Sequence, residues 1–112
     1  MKKSVDELKQ GDIVYINLNP TKGHEQQGKR PCIILGKRLP YLKNMVSVAP
    51  ITSKRKTFPL HIPLTQNMKI TGEILLEHHR SIDIVSRGFD FVEEAPEEVL
   101  EECLAKINLI YK

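Results

Sequence analysis

Tryptophan is absent from this 112-residue chain, aromatic residues make up only 5% of it, and cysteine and histidine occur two and four times. No apolar run approaches the ~20 residues that would cross a bilayer, which argues against a membrane span. The opening "MKKSVDELKQ" lacks the apolar stretch of a secretory signal, so the expected location is the cytoplasm. Cys32 lies in "CIIL" and Cys103 in "VLEECLAKI", far apart and each within an apolar pattern. Two buried, reduced thiols are expected rather than a disulfide or a nucleophile. His24, His61, His78 and His79 fall in no HExxH or Cys/His spacing. In a strand, His78 and His79 would point to opposite faces and could not share an ion, so neither a metal nor another cofactor is expected. A phosphate-cradling Gly-rich loop and a GxSxG elbow are both missing, which leaves nucleotide-driven and α/β-hydrolase chemistry without support. Without repeats, low-complexity segments or linkers, residues 1–112 are expected to form a single domain.

What is present is an ordinary proportion of apolar residues, 40%, and of charged ones, 28%, unevenly spread. The formal net charge is +3, but residues 1–90 carry +7 and residues 91–112 carry −4. A basic body suits a polyanionic partner such as nucleic acid, although a solvated surface would look the same. Ser4 and Glu7 have capping-box spacing and predict a short helical turn, with Gly11 available to end it. "DIVYINL", "CIILGK", "MVSVAPI" stopping near Pro50, and "GEILLEH" read as strands, and "FPLHIPL" as an edge or rim strand because Pro59 and Pro63 cannot donate to a ladder. Only the end is clearly helical: after Pro96, Val99, Leu100, Cys103, Leu104 and Ile107 recur at three-to-four spacing. Short strands with one closing helix predict a mainly β, α+β fold, a small β-barrel or strongly curved sheet with the helix packed on it.

One segment has no periodicity at all. "NPTKGHEQQGKRP", residues 19–31, sets two prolines and two glycines among dense polar side chains, and so long a loop in so small a chain points to function. Together, "GDIVYINLNPTKGHEQQGKRPCIIL", "VAPITSK" and "LLEHHRSID" resemble, in order and spacing, the MazF/PemK (Kid) family of toxins from type II toxin-antitoxin pairs. The resemblance spans nearly the whole chain. It implies an SH3-like barrel of the MazF/PemK/CcdB type and a homodimer. The implied activity is metal-independent, sequence-specific endoribonuclease cleavage of single-stranded RNA. The implied partners are a cognate antitoxin, with DNA bound only through the antitoxin complex, and no membrane.

The residues suit that chemistry. Cleaving RNA without a metal uses the 2′-hydroxyl as nucleophile and needs a base, an acid for the leaving 5′-oxygen and donors for the crowded phosphorane. Arg30 offers a forked, permanent cation, and the resemblance makes it the catalytic arginine with Thr52 as the hydroxyl on the scissile phosphate. His24, Glu25 and Glu77 are the candidates for proton transfer. In PemK-like relatives an arginine two residues before the Glu77 position is the proposed acid, and here that position is Leu75. The RNA-contact candidates are Asn19, Lys22, Gln26, Gln27, Lys29, Ser53, Lys54, Arg55, Lys56, His78 and Arg80. Of these, Lys54, Arg55 and Lys56 could be a solvated loop and Arg80 could pair with Asp83 instead. Asn17 and Asn19 could cap turns, and Tyr41 could stack on a base or pack on the barrel rim. Two other readings remain: a CcdB-like inhibitor of a protein target such as gyrase, and an inactive RNA-binding relative.

Overall fold

The computed structural model describes residues 2–18, 29–36, 44–54 and 59–111. A 3-10 turn at Val5–Glu7 follows Ser4, and the Glu7 carboxylate accepts the Ser4 N–H at 2.8 Å as the capping-box spacing predicts. The turn ends at Leu8, not at Gly11. Gly11 instead bends the chain into the first strand at a φ of 90°.

Seven strands follow: β1 (Asp12–Asn17), β2 (Lys29–Ile34), β3 (Met45–Thr52), β4 (His61–Pro63), β5 (Glu73–Leu75), β6 (Arg80–Asp83) and β7 (Phe89–Glu94). Among the described residues two α-helices accompany them, a single turn α1 (Ile84–Arg87) and the long α2 (Glu97–Ile110). The strands lie in the order β4-β5-β3-β2-β1-β7, and β6 also pairs with β3. The mainly β class with a closing helix is as expected, but the sheet runs open from β4 to β7 and does not close into a barrel.

The central strands are buried on both faces. On one, Ile13, Ile33, Ala49, Ile51, Ile62 and Ile74 pack beneath Val99 and Cys103 of α2. On the other, Val14, Ile16, Cys32, Ile34, Val46 and Val48 pack with Ile82 and Ile84, covered by Val5, Leu8, Phe89 and Phe91. Both cysteines are free and buried, and burial pushes each thiol up to about 12. Among the described residues no helix is long and apolar enough to cross a membrane.

Several boundaries differ from the sequence reading, each for a local reason. β2 begins at Lys29, so Lys29, Arg30 and Pro31 belong to a strand and not to the preceding loop. Pro31 is tolerated because its partner is Tyr15 of β1 while the β3 ladder starts only at Cys32. β3 runs through Pro50 to Thr52, because Pro50 sits where the outer edge of β3 changes partner, from β6 up to Val48 to β5 from Ile51. Its missing N–H costs no rung on that edge. β5 stops at Leu75, and Leu76–His78 form a 3-10 turn, so the opposite-faces argument for His78 and His79 does not hold. His79 lies between the Leu76 carbonyl and the Tyr111 hydroxyl, at 2.7 and 2.6 Å. β6, α1 and β7 are absent from the sequence reading. The alternative of an Arg80–Asp83 pair is not found among the described residues: Asp83 caps α1, accepting the Ser86 N–H at 3.0 Å.

Candidate active site

The β2–β3 ladder pairs Cys32 with Pro50, Ile33 with Ala49 and Ile34 with Val48, and the same register carried past Pro31 sets Arg30 opposite Thr52. Thr52 in turn pairs with Glu73 of β5. Directly opposed residues share a face, so Arg30, Thr52 and Glu73 form a polar row across three strands. At this end of the sheet lies a cleft of about 460 Å³, lined by Tyr15, Arg30, Pro31, Thr52, Ser53, Lys54 and the segment 69–71. Arg30, Lys54 and Lys69 all bring cations to it, and no carboxylate is among its lining residues. The described part of the cleft is thus shaped for a polyanion.

Local chemistry holds the cleft's shape. The Thr52 hydroxyl accepts the Lys54 N–H at 3.2 Å, turning the chain as it leaves β3. Gly72 has a φ of 122°, and a Cβ there would stand 1.9 Å from the Thr52 carbonyl oxygen. Only glycine lets the two backbones approach so closely. On the opposite rim the Glu93 carboxylate accepts the N–H groups of Lys69 and Ile70, at 3.1 and 2.9 Å, and fixes the segment that carries Lys69 and Thr71.

Of the sequence candidates, Arg30, Thr52, Ser53 and Lys54 meet in this cleft. Lys29 is exposed on β2 opposite Asn17, whose carbonyl accepts from Arg87 at 2.9 Å. Glu77 lies in the 3-10 turn after β5 and is not among the cleft's lining residues. Its Oε2 is 2.8 Å from His61 Nε2 and 3.8 Å from the exposed His78. Partial burial pushes the Glu77 carboxyl up, but the His61 hydrogen bond, a backbone N–H and the charges of His61 and His78 outweigh it and hold Glu77 below its ordinary value. Arg80 is not brought to the cleft; it lines a second cavity of about 330 Å³ beside His79 and Tyr111. Asn19, Lys22, His24, Glu25, Gln26, Gln27, Tyr41, Arg55 and Lys56 lie outside the described residues.

Tyr15, Lys69, Thr71, Gly72, Glu93, His61 and Glu73 escaped the sequence reading. Tyr15 carried a signal, as the one bulky aromatic in an otherwise aliphatic strand. The others carried none: strand pairing brings His61 and Glu73 together, and the non-strand segment of Lys69, Thr71 and Gly72 is placed by side-chain and backbone contacts with distant residues.

Residues 9–111 match the family described as PemK-like, MazF-like toxin of type II toxin-antitoxin system. The chain belongs to this family. It is 32% identical to "Endoribonuclease PemK" of Escherichia coli over 112 residues, covering 93% of this chain and 82% of that protein. It is 31% identical to "Endoribonuclease toxin MazF" of E. coli strain K12 over 104 residues, covering 89% of this chain and 90% of that protein. Among solved structures, MazF of Deinococcus radiodurans superposes with a TM-score of 0.80 at 32% identity, covering 93% of this chain and 96% of that one. A MazE–MazF complex from the same organism gives 0.78 at 27%, covering 93% and 94%.

Proposed function

We propose that this MazF/PemK-family toxin is a sequence-specific, metal-independent endoribonuclease that cuts single-stranded RNA by attack of the 2′-hydroxyl on the adjacent phosphate. The observation that carries the reading is the meeting of Arg30 and Thr52 at the end of β2 and β3, in a cleft whose other charged residues are Lys54 and Lys69. The curated relatives are named endoribonucleases, which sets the reaction class.

In this reading the O2′–P bond forms as the P–O5′ bond breaks. One proton leaves O2′ for a base and one reaches O5′ from an acid, so the step consumes no water. Arg30 and the Thr52 hydroxyl donate to the phosphate oxygens, where charge builds up. Tyr15 offers a face on which a base can stack, and Lys54 and Lys69 steer the flanking phosphates. Glu77 is the base candidate among the described residues, being held ionised, while His24 and Glu25 of the preceding loop are candidates for the second proton transfer. The MazE–MazF complex of the Deinococcus relative supports a cognate antitoxin partner, which would lay an acidic, partly disordered segment over the same cations. DNA would be reached only through that complex. The toxin itself would act as a homodimer in the cytoplasm.

RNA with one 2′-deoxy substitution 5′ to the cut tests the mechanism. Cleavage of the unmodified RNA in EDTA, with 2′,3′-cyclic phosphate and 5′-hydroxyl ends, is expected, and none at the deoxy position. Continued cleavage there, or 5′-phosphate ends, would overturn it. An intact RNA beside inhibited gyrase supercoiling would favour a protein-poisoning relative instead.

A further inference from the structure

Beyond the cleft, the polar row does not end at Glu73. His61 of β4 is the cross-strand partner of Leu75 and stands on the same face as Glu73, with its ring set between two carboxylates. Its Nδ1 is 3.1 Å from Glu73 Oε1 and its Nε2 is 2.8 Å from Glu77 Oε2. The side chains are 8% exposed for His61, 13% for Glu73 and 28% for Glu77, so Glu77 is the member open to solvent and His61 the member shielded from it. The exposed His78 also faces Glu77, at 3.8 Å.

Proton counting constrains this arrangement. Two hydrogen bonds across two ring nitrogens and two carboxylates need two hydrogens, which is met by an imidazolium between two carboxylates, with a net charge of −1. The alternative, a neutral ring with one carboxylic acid, holds the same number of protons and the same net charge but replaces an ion pair by two neutral groups. A carboxylate facing an N–H at 2.8 Å in a partly buried site favours the ionised arrangement.

We propose that Glu73, His61 and Glu77 form one relay in which His61 is a positioning residue for Glu77. Glu73 fixes the ring's orientation, and the ring in turn holds the Glu77 carboxylate in one position. This logic is that of a base oriented by a third group, with the roles spread over β5, β4 and the turn after β5. It rests on the reading of Glu77 as the base.

The test is a double-mutant cycle on RNA cleavage by the full-length protein, with His61→Ala, Glu77→Gln and the pair. His61→Ala should lower kcat by about tenfold or more with little change in KM, and adding it to Glu77→Gln should cost almost nothing further. His61→Gln, whose amide NH2 can still donate to one of the two carboxylates, should recover part of the loss. In the wild type at neutral pH, both His61 ring nitrogens should give the 15N shifts of an imidazolium, and Glu73→Gln should disturb them. Wild-type kcat in His61→Ala, losses that multiply in the double variant, or 15N shifts of a neutral ring would overturn the relay. Should His61→Ala fail to fold, the 15N shifts in wild type and Glu73→Gln decide alone. The proposed reaction stands or falls separately, on whether wild type cleaves and Arg30→Ala does not.

Discussion

At the scale of single residues, the site depends on groups whose replacement has defined effects. Arg30 contributes a planar fork of donors at a strand end, where the geometry is fixed by pairing with Ile16. Arg30→Ala should reduce kcat by roughly a hundredfold or more, as expected when a donor to developing charge is lost, with an unchanged circular-dichroism spectrum. Arg30→Lys should not restore it, because one ammonium cannot reproduce the fork. Wild-type rates in Arg30→Ala would remove Arg30 from the mechanism. Gly72 works by what it lacks. With its φ of 122° and the Thr52 carbonyl so close, Gly72→Ala must displace the backbone that carries the Thr52 hydroxyl. A loss of at least about 2 kcal/mol in urea unfolding is expected, together with slower cleavage.

At the scale of elements, the cleft is a junction between strands and the segment that follows β4. Glu93 of β7 reaches across to hold the backbone N–H groups of Lys69 and Ile70, so an edge strand supports the rim opposite Thr52. Glu93→Ala leaves both donors without that partner and should cost about 1–3 kcal/mol. Because the rim carries Lys69, it should also raise KM for RNA more than it lowers kcat. Equal KM in the variant and the wild type would show that the rim needs no such support. The C-terminal helix has the opposite character. Its Val99 and Cys103 are buried, but Leu104, Leu109, Ile110 and the following Tyr111 remain exposed.

At the scale of the whole molecule, that exposed apolar end calls for a cover, and a second copy of the chain is the occupant consistent with the proposed homodimer. Sedimentation at micromolar concentration should give a dimer mass, and Leu109→Lys combined with Tyr111→Lys should shift it toward a monomer. A monomeric wild type would refute the assembly. The titratable groups set a stability plateau. Glu7 is held below the ordinary 4.5 by the Ser4 N–H, Glu94 by Lys9 and Lys3, and Glu77 by His61 against its partial burial. Since the unfolded chain binds more protons there, that stabilisation is present above pH 4.5 and is lost as pH falls through the lowered folded values. Burial raises both thiols from 9.0 to about 12, so their contribution is complete below pH 9 and is lost as pH rises toward 12. The urea midpoint should therefore be highest between these limits and fall on both sides; a midpoint that rises above pH 9 would contradict the burial of the thiols.

Much of this was already decided along the chain. The β-branched run of "DIVYINL", the three-to-four spacing after Pro96 and the Ser4–Glu7 spacing each specify a local conformation without help from distant residues, and those elements formed where expected. Arg30 and Thr52 were legible as candidate site residues because three motifs in register resemble one family. Tertiary structure decided what depends on pairing. Pro31 and Pro50 read locally as boundaries, yet they lie within strands, because whether a missing N–H matters is set by which neighbour faces it. β6 and α1 are four residues each, too short for periodicity to reveal, and β7 is obscured by acidic residues at Asp90, Glu93 and Glu94; they exist through the ladder with β3, the Asp83 cap and the pairing with β1. Glu73, His61 and Glu77 lie on three separate elements, and only the antiparallel register of β4 and β5 sets an imidazole between two carboxylates.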